Sequence, residues 1–129
     1  MRTLFSLIIA LFVVTIAPVH AQTTPLEGTW SGSGTMQARD NPPQKLTCRI
    51  KYRRETDKVY KLAAKCVTIS TAINQTGKLL KVNPGVYVGE FQVATYDISG
   101  RVRITIKGGV QTMSFKSSRA SGSVTLKKS

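Results

Sequence analysis

Histidine is almost missing from this sequence. The 129 residues contain one histidine, His20, and only six acidic residues against 19 lysines and arginines. A Ser-His-Asp catalytic arrangement requires a histidine, and a structural zinc ion needs four ligands, mostly cysteine and histidine. The six acids are scattered and form no clear catalytic pair. We therefore expect a protein that is not an enzyme and that binds neither a metal nor a cofactor.

Long apolar runs are also rare, and the single one lies near the N-terminus. Residues 4–16 are almost wholly apolar, Arg2 precedes them, and Val19 and Ala21 provide the small residues of a cleavage site. These are the three parts of a secretory signal peptide, and the run is shorter than the roughly 20 residues of a membrane-spanning helix. The sequence predicts a signal peptide over residues 1–21 and a single mature domain over residues 22–129.

Cleavage after Ala21 would change the chemistry of the remaining chain. It removes the only histidine and one positive charge, Arg2, so the formal net charge falls from +13 to +12. A charge of this size predicts salt-sensitive affinity for polyanions or acidic partners. We expect the mature protein in the periplasm, with secretion as the alternative, and without a membrane span.

Cysteine occurs twice, at Cys48 and Cys66. Two cysteines in an exported chain are most simply explained by one disulfide bond. Apolar and polar residues alternate around both cysteines, as in half-buried strands, and the polar residues 55–58 between them can form a turn. If Cys48 faces Cys66, then Tyr52 faces Leu62, so residues typical of a core share one face of a hairpin.

The other face of this predicted hairpin is strongly basic. The same register places Arg49 opposite Lys65 and Arg53 opposite Lys61, with Lys51 between them. Like charges directly opposite each other are destabilising in a sheet, and this favours a surface that binds anions. A solvated face is the alternative, because long basic side chains can spread into water.

Short alternating segments separated by turn residues recur along the chain, and no stretch has a sustained helical period. Residues 28–36 form a glycine-rich first strand, whereas residues 74–77, residues 99–101 and Gly108-Gly109 read as turns. About eight strands joined mostly by short hairpins indicate an all-β fold. The expected architecture is a small antiparallel up-and-down barrel in which the first and last strands pair.

The combination of signal peptide, small barrel and single disulfide resembles the periplasmic lysozyme inhibitors of Gram-negative bacteria. Those proteins present a serine in a Ser-Gly loop, and a lysine followed by glycine, to the acidic cleft of the hydrolase. The matching residues here are Ser99-Gly100 and Lys107-Gly108, whereas Arg101, a further partner-binding candidate, follows the Ser-Gly pair where the family has a tyrosine. The resemblance implies that the partner is an exported peptidoglycan hydrolase whose catalytic carboxylates meet the Ser99 hydroxyl and the Lys107 ammonium.

Two further binding functions fit the same sequence. An eight-stranded barrel can hold one small ligand, so the protein could carry a lipid or another apolar molecule, although its aromatic residues could equally fill the interior. The basic face could instead bind an anionic polymer of the cell envelope. Export separates the protein from nucleic acid, which argues against nucleic acid as the bound polyanion.

Overall fold

The computed structural model describes residues 10–14 and 25–129 of the chain. Most of the predicted signal peptide, including the predicted cleavage site after Ala21, lies outside the described residues. Within them, no helix is both long enough and apolar enough to cross a bilayer.

Eight antiparallel strands form a closed barrel, and each strand pairs with its neighbours in chain order, which confirms the predicted fold. The first and last strands pair along their length, from Trp30 opposite Lys128 to Ala38 opposite Ala120. Because the ring is closed, none of the eight strands is an edge strand. The strands are β1 (Gly28–Ala38), β2 (Gln44–Arg54), β3 (Val59–Val67), β4 (Ala72–Asn83), β5 (Val86–Val93), β6 (Ile98–Lys107), β7 (Val110–Ser117) and β8 (Ala120–Lys128).

The β2–β3 hairpin has the register predicted from the cysteines. Cys48 lies directly opposite Cys66, and their sulfur atoms are bonded at 2.05 Å. Tyr52 lies opposite Leu62, and both are buried. The alternation of buried and exposed residues along both strands therefore sorts apolar side chains into the barrel and basic side chains onto its surface.

Two glycines of β1 allow the barrel to close. A Cβ atom at Gly32 would lie 1.8 Å from the carbonyl oxygen of Thr125, and one at Gly34 would lie 1.8 Å from that of Ser123. Both carbonyls belong to β8, so any larger residue would push the two strands apart. The glycines that the sequence places on one face of the first strand thus serve a close backbone approach.

Large side chains fill the end of the barrel where the β2–β3, β4–β5 and β6–β7 turns lie. Leu26 is fully buried there, and its carbonyl oxygen accepts a hydrogen bond of 2.8 Å from the indole nitrogen of Trp30. The hydroxyl of Tyr52 donates a 2.5 Å hydrogen bond to Oε1 of Gln111, and burial raises the pKa of Tyr52 above its usual range. We call this the closed end.

Two of the predicted turns are wrong. Residues 74–77 lie inside β4, where Gly77 allows the backbone of β5 to approach closely instead of forming a turn. Residues 99–101 lie inside β6, and the chain reverses earlier, through a 3-10 turn over Ala94–Tyr96 and a left-handed Asp97 with φ of 50°. Aspartate tolerates this backbone conformation better than most residues do. The predicted turn at Gly108-Gly109 is confirmed, with positive φ at both glycines.

Removal of the disulfide tests its contribution to the barrel. We expect the double substitution Cys48→Ala with Cys66→Ala to lower the free energy of unfolding by about 3 kcal/mol, since the bond restricts the unfolded chain and alanine places no polar group at these buried positions. Urea unfolding followed by tryptophan fluorescence measures this change. Reduced wild-type protein should unfold at the same urea concentration as the double variant. Equal stability of oxidised and reduced wild-type protein would contradict the prediction.

Candidate binding surface

The outer face of β2 and β3 carries the basic residues expected from the sequence. Arg49 lies opposite Lys65, Arg53 lies opposite Lys61, and Lys51 lies between the two pairs. All five are exposed. The barrel therefore brings all five anion-binding candidates together on one surface.

A sixth basic residue, Lys78 of β4, extends this surface. Lys78 lies opposite Lys61, so Arg53, Lys61 and Lys78 occupy equivalent positions on three neighbouring strands. Neighbouring strands are about 4.8 Å apart, so the row concentrates positive charge. Sequence reasoning missed Lys78 because a turn over residues 74–77 would have separated it from the pairing with β3. Its outward position follows only when β4 is one continuous strand.

The surface is also indented by shallow, open depressions between its long side chains. Two adjoining depressions of about 620 Å³ and 720 Å³ run over the outside of β1 to β5, and both are lined by Lys51, Ala63 and Thr76. Because the Ala63 side chain is small, the surface is low between the basic residues around it. We call the combined depression the basic groove, and its charged walls are Arg49, Lys51, Arg53, Lys61, Lys65 and Lys78.

Few carboxylates balance these charges. One oxygen of Glu55, in the β2–β3 turn, lies 2.9 Å from Nζ of Lys61, and the other lies 3.9 Å from Nζ of Lys78. The hydrogen bond from Lys61 lowers the pKa of Glu55, assisted by the charges of Lys61 and Lys78. Among the described residues, the other four cations of the groove form no ion pair. Glu90 also lines the groove, between Lys78 and Arg101 in the strand register.

The residues suggested by the resemblance to lysozyme inhibitors do not come together. Ser99 lies at the start of β6, opposite Gln92, and Lys107 lies at its end, next to the β6–β7 turn. Eight residues of extended strand separate them by about 26 Å. Arg101 lies between them on the outer face, opposite Glu90 and Lys116. Ser99 and Lys107 thus lie at opposite ends of the outer face of β6.

Side chains occupy most of the barrel interior. A gap of about 20 Å³ remains away from the closed end, which is room for about one water molecule. The rings of Phe91 and Phe115 border it in an edge-to-face arrangement, with centroids 6.0 Å apart. The other residues that line the gap are Leu62, Ala64, Cys66, Gln75, Val102 and Met113.

Comparison with known proteins supports the fold alone. No family model matches the chain, and no curated protein matches it. A redesigned β-barrel bound to DFHBI has a TM-score of 0.68 and 18% identity, with 80% of this chain and 94% of that chain covered. A de novo designed fluorescence-activating β-barrel has a TM-score of 0.62 and 15% identity, with 80% and 93% covered. The S-type phycobiliprotein lyase CPES of Guillardia theta has a TM-score of 0.52 and 7% identity, with 81% and 88% covered. This chain is thus similar in fold to small barrels that include ligand-bound designs.

Proposed function

We propose that the protein binds an anionic polymer or surface along the basic groove, as a non-catalytic protein of an oxidising compartment such as the periplasm. The observation that carries the proposal is the row of Arg53, Lys61 and Lys78 on three adjacent strands. Repulsion within this row opposes folding, and a bound polyanion would relieve it. The disulfide is of the kind found in proteins exposed to oxidising conditions.

The dimensions of the groove favour an extended ligand over a single small anion. Arg49 and Arg53 lie four residues apart on β2, which is about 13 Å, and the row from β2 to β4 spans about 10 Å. Four of the six cations are free of ion pairs among the described residues. A chain of phosphates or carboxylates could therefore contact several of them at once.

Inhibition of a peptidoglycan hydrolase is less well supported. The strand geometry separates Ser99 from Lys107, whereas the resemblance requires both at one acidic cleft. A hydrolase with an acidic surface could still bind the groove through charge. We therefore base the proposal on the groove residues and not on the Ser-Gly and Lys-Gly pairs.

Binding of linear polyphosphate tests the groove. We expect Arg49→Ala with Lys65→Ala to weaken binding at least about tenfold at low salt, because neither side chain has an acidic partner to lose. The slope of log affinity against log salt concentration should fall by about 1 to 2, as two fewer counterions are displaced. Fluorescence anisotropy with labelled polyphosphate over a range of salt concentrations measures both quantities.

The matched control removes the same charge elsewhere. Lys107→Ala with Arg119→Ala also takes away two positive charges, from turn regions outside the groove. This variant should keep most of the affinity and the salt dependence. Equal losses in the two double variants would show that net charge alone drives binding, and would contradict a defined groove.

The ion pairs of Glu55 predict a pH effect. Glu55→Gln should raise the affinity for polyphosphate by about two- to fivefold at pH 7, since it removes the carboxylate that pairs with Lys61 and Lys78. Because the pKa of Glu55 lies below its ordinary value, the wild-type affinity should rise as the pH falls through that lowered pKa and Glu55 becomes neutral. The Glu55→Gln variant should not show the part of this rise in affinity that comes from protonation of Glu55.

Asp57→Asn is the matched control for Glu55→Gln. Asp57 lies in the same turn but pairs with Arg54, so the substitution changes the net charge equally without releasing Lys61 or Lys78. Anisotropy titrations at constant ionic strength compare the two variants. The role of Glu55 would be refuted if Asp57→Asn raised the affinity as much.

Transport of a small apolar ligand is the second candidate function. The observation that favours it is the apolar gap beside Phe91 and Phe115, since Phe115 is only partly buried. Barrels with this strand number can enclose one ligand. The gap itself is too small for one, so the Phe115 and Met113 side chains would have to move.

Filling the gap tests this second function. If the protein is a carrier, an apolar fluorescent dye should bind the wild type, and Ala64→Leu should abolish binding because the new side chain occupies the gap. Ala63→Leu is the matched control, because Ala63 precedes Ala64 on β3 but faces outward. Circular dichroism checks that both variants fold. Undiminished dye binding by Ala64→Leu would exclude the interior site.

A further inference from the structure

An aliphatic cluster interrupts the polar outer surface near the β4–β5 turn. Leu80 lies on the outer face of β4 between Val59 of β3 and Val88 of β5 in the strand register. Val82, at an irregularity in β4, and Val86, at the start of β5, extend the cluster toward the turn. Leu80 is 47% exposed and Val82 is 44% exposed. We call Val59, Leu80, Val82, Val86 and Val88 the aliphatic patch.

Exposed large aliphatic residues that lie together are uncommon on a protein surface and mark interaction sites. The interior does not require them at these positions, since the inward neighbours Leu79 and Tyr87 already supply buried apolar surface. The patch is therefore an addition to the outside of the barrel and not a consequence of core packing.

Basic residues border the patch. Lys78 lies two residues before Leu80, and Lys61 lies two residues after Val59, which places both about 7 Å from the patch along their strands. Arg103 lies directly opposite Val88. Lys61 and Lys78 are also walls of the basic groove, so the apolar patch and the groove form one continuous amphipathic surface.

We propose that this amphipathic surface docks on an anionic lipid membrane, with the aliphatic patch entering the interface and Lys61, Lys78 and Arg103 meeting the lipid headgroups. The proposal rests on the polyanion-binding function and specifies its ligand as a lipid surface. A soluble polymer offers the charges but nothing apolar for the patch to contact. A lipid surface offers both kinds of contact: charged headgroups for the basic residues, and acyl chains beneath them for the aliphatic patch.

Vesicle sedimentation tests this proposal. The purified protein is mixed with large vesicles of phosphatidylcholine alone or with phosphatidylglycerol added, and its binding to soluble polyphosphate is measured in parallel. We expect strong binding to the phosphatidylglycerol vesicles and at least about tenfold weaker binding to phosphatidylcholine alone, because the headgroup charges are then balanced.

Variants of the patch separate the lipid contact from the charge. Leu80→Ser with Val88→Thr should weaken vesicle binding at least about tenfold and leave polyphosphate binding within about twofold. Ile69→Thr is the control, because Ile69 is an aliphatic residue, 98% exposed, that lies in the β3–β4 turn, beyond the end of β3 opposite the patch and outside the residues that line the groove. It should change neither binding. Circular dichroism confirms that all variants fold.

The possible outcomes distinguish this inference from the function on which it rests. Binding of polyphosphate without binding of phosphatidylglycerol vesicles would overturn the lipid inference and leave the polyanion function intact. Unchanged vesicle binding by the Leu80 and Val88 double variant would overturn the role of the patch. Failure to bind either polyphosphate or vesicles would overturn both proposals.

Discussion

Barrel closure between β1 and β8 is the constraint on which the other features depend. The two strands meet closely because Gly32 and Gly34 have no side chain to strike the carbonyl oxygens of β8. Closure gives every strand two partners and turns one face of the sheet toward the interior. Because side chains alternate along a strand, each residue then faces either the interior or the solvent. A slip of one residue in any pair would exchange these two sets of side chains. The basic groove therefore depends on the contact of β1, the strand at its edge, with β8.

The register is maintained although it places like charges opposite each other. Each such pair is destabilising, and the side chains involved are exposed to solvent, which screens the repulsion. Burial of one large side chain on the other face of the strands, such as Tyr52, contributes about 1.5–3 kcal/mol, and the disulfide adds about 3 kcal/mol. The buried face thus outweighs the repulsion on the exposed face. The folded barrel therefore keeps these like charges on paired strands, whereas their repulsion would oppose pairing of the same strands in isolation.

The inside and outside of the barrel have different capacities for binding. The closed end is filled by Leu26, Trp30 and the hydrogen-bonded pair of Tyr52 and Gln111, and the remaining gap has room for about one water molecule. The outer surface, in contrast, offers a basic region with shallow depressions, and this region adjoins exposed aliphatic residues. Binding on the outside needs no rearrangement of the core, whereas a carrier function needs at least Phe115 to move. The proposed external ligand therefore requires the smaller change in the structure.

The sequence by itself determined the features that depend on short-range periodicity. The two cysteines of a chain with an export signal predicted the disulfide. The alternation around Cys48 and Cys66 then predicted the β2–β3 register and five basic residues of the groove, because a strand repeats every two residues and one cross-link sets the pairing. Only the tertiary structure decided where glycine marks a turn and where it permits close approach. Gly77 and Gly100 lie within strands, where neighbouring backbone atoms or rings occupy the space that a larger side chain would need. The continuity of β4 through Gly77 added Lys78 to the groove, and the position of Gly100 inside β6 moved the chain reversal back to residues 94–97. Pairing between strands is a long-range property, and a local sequence pattern does not specify it unless a bond such as the disulfide connects the two partners.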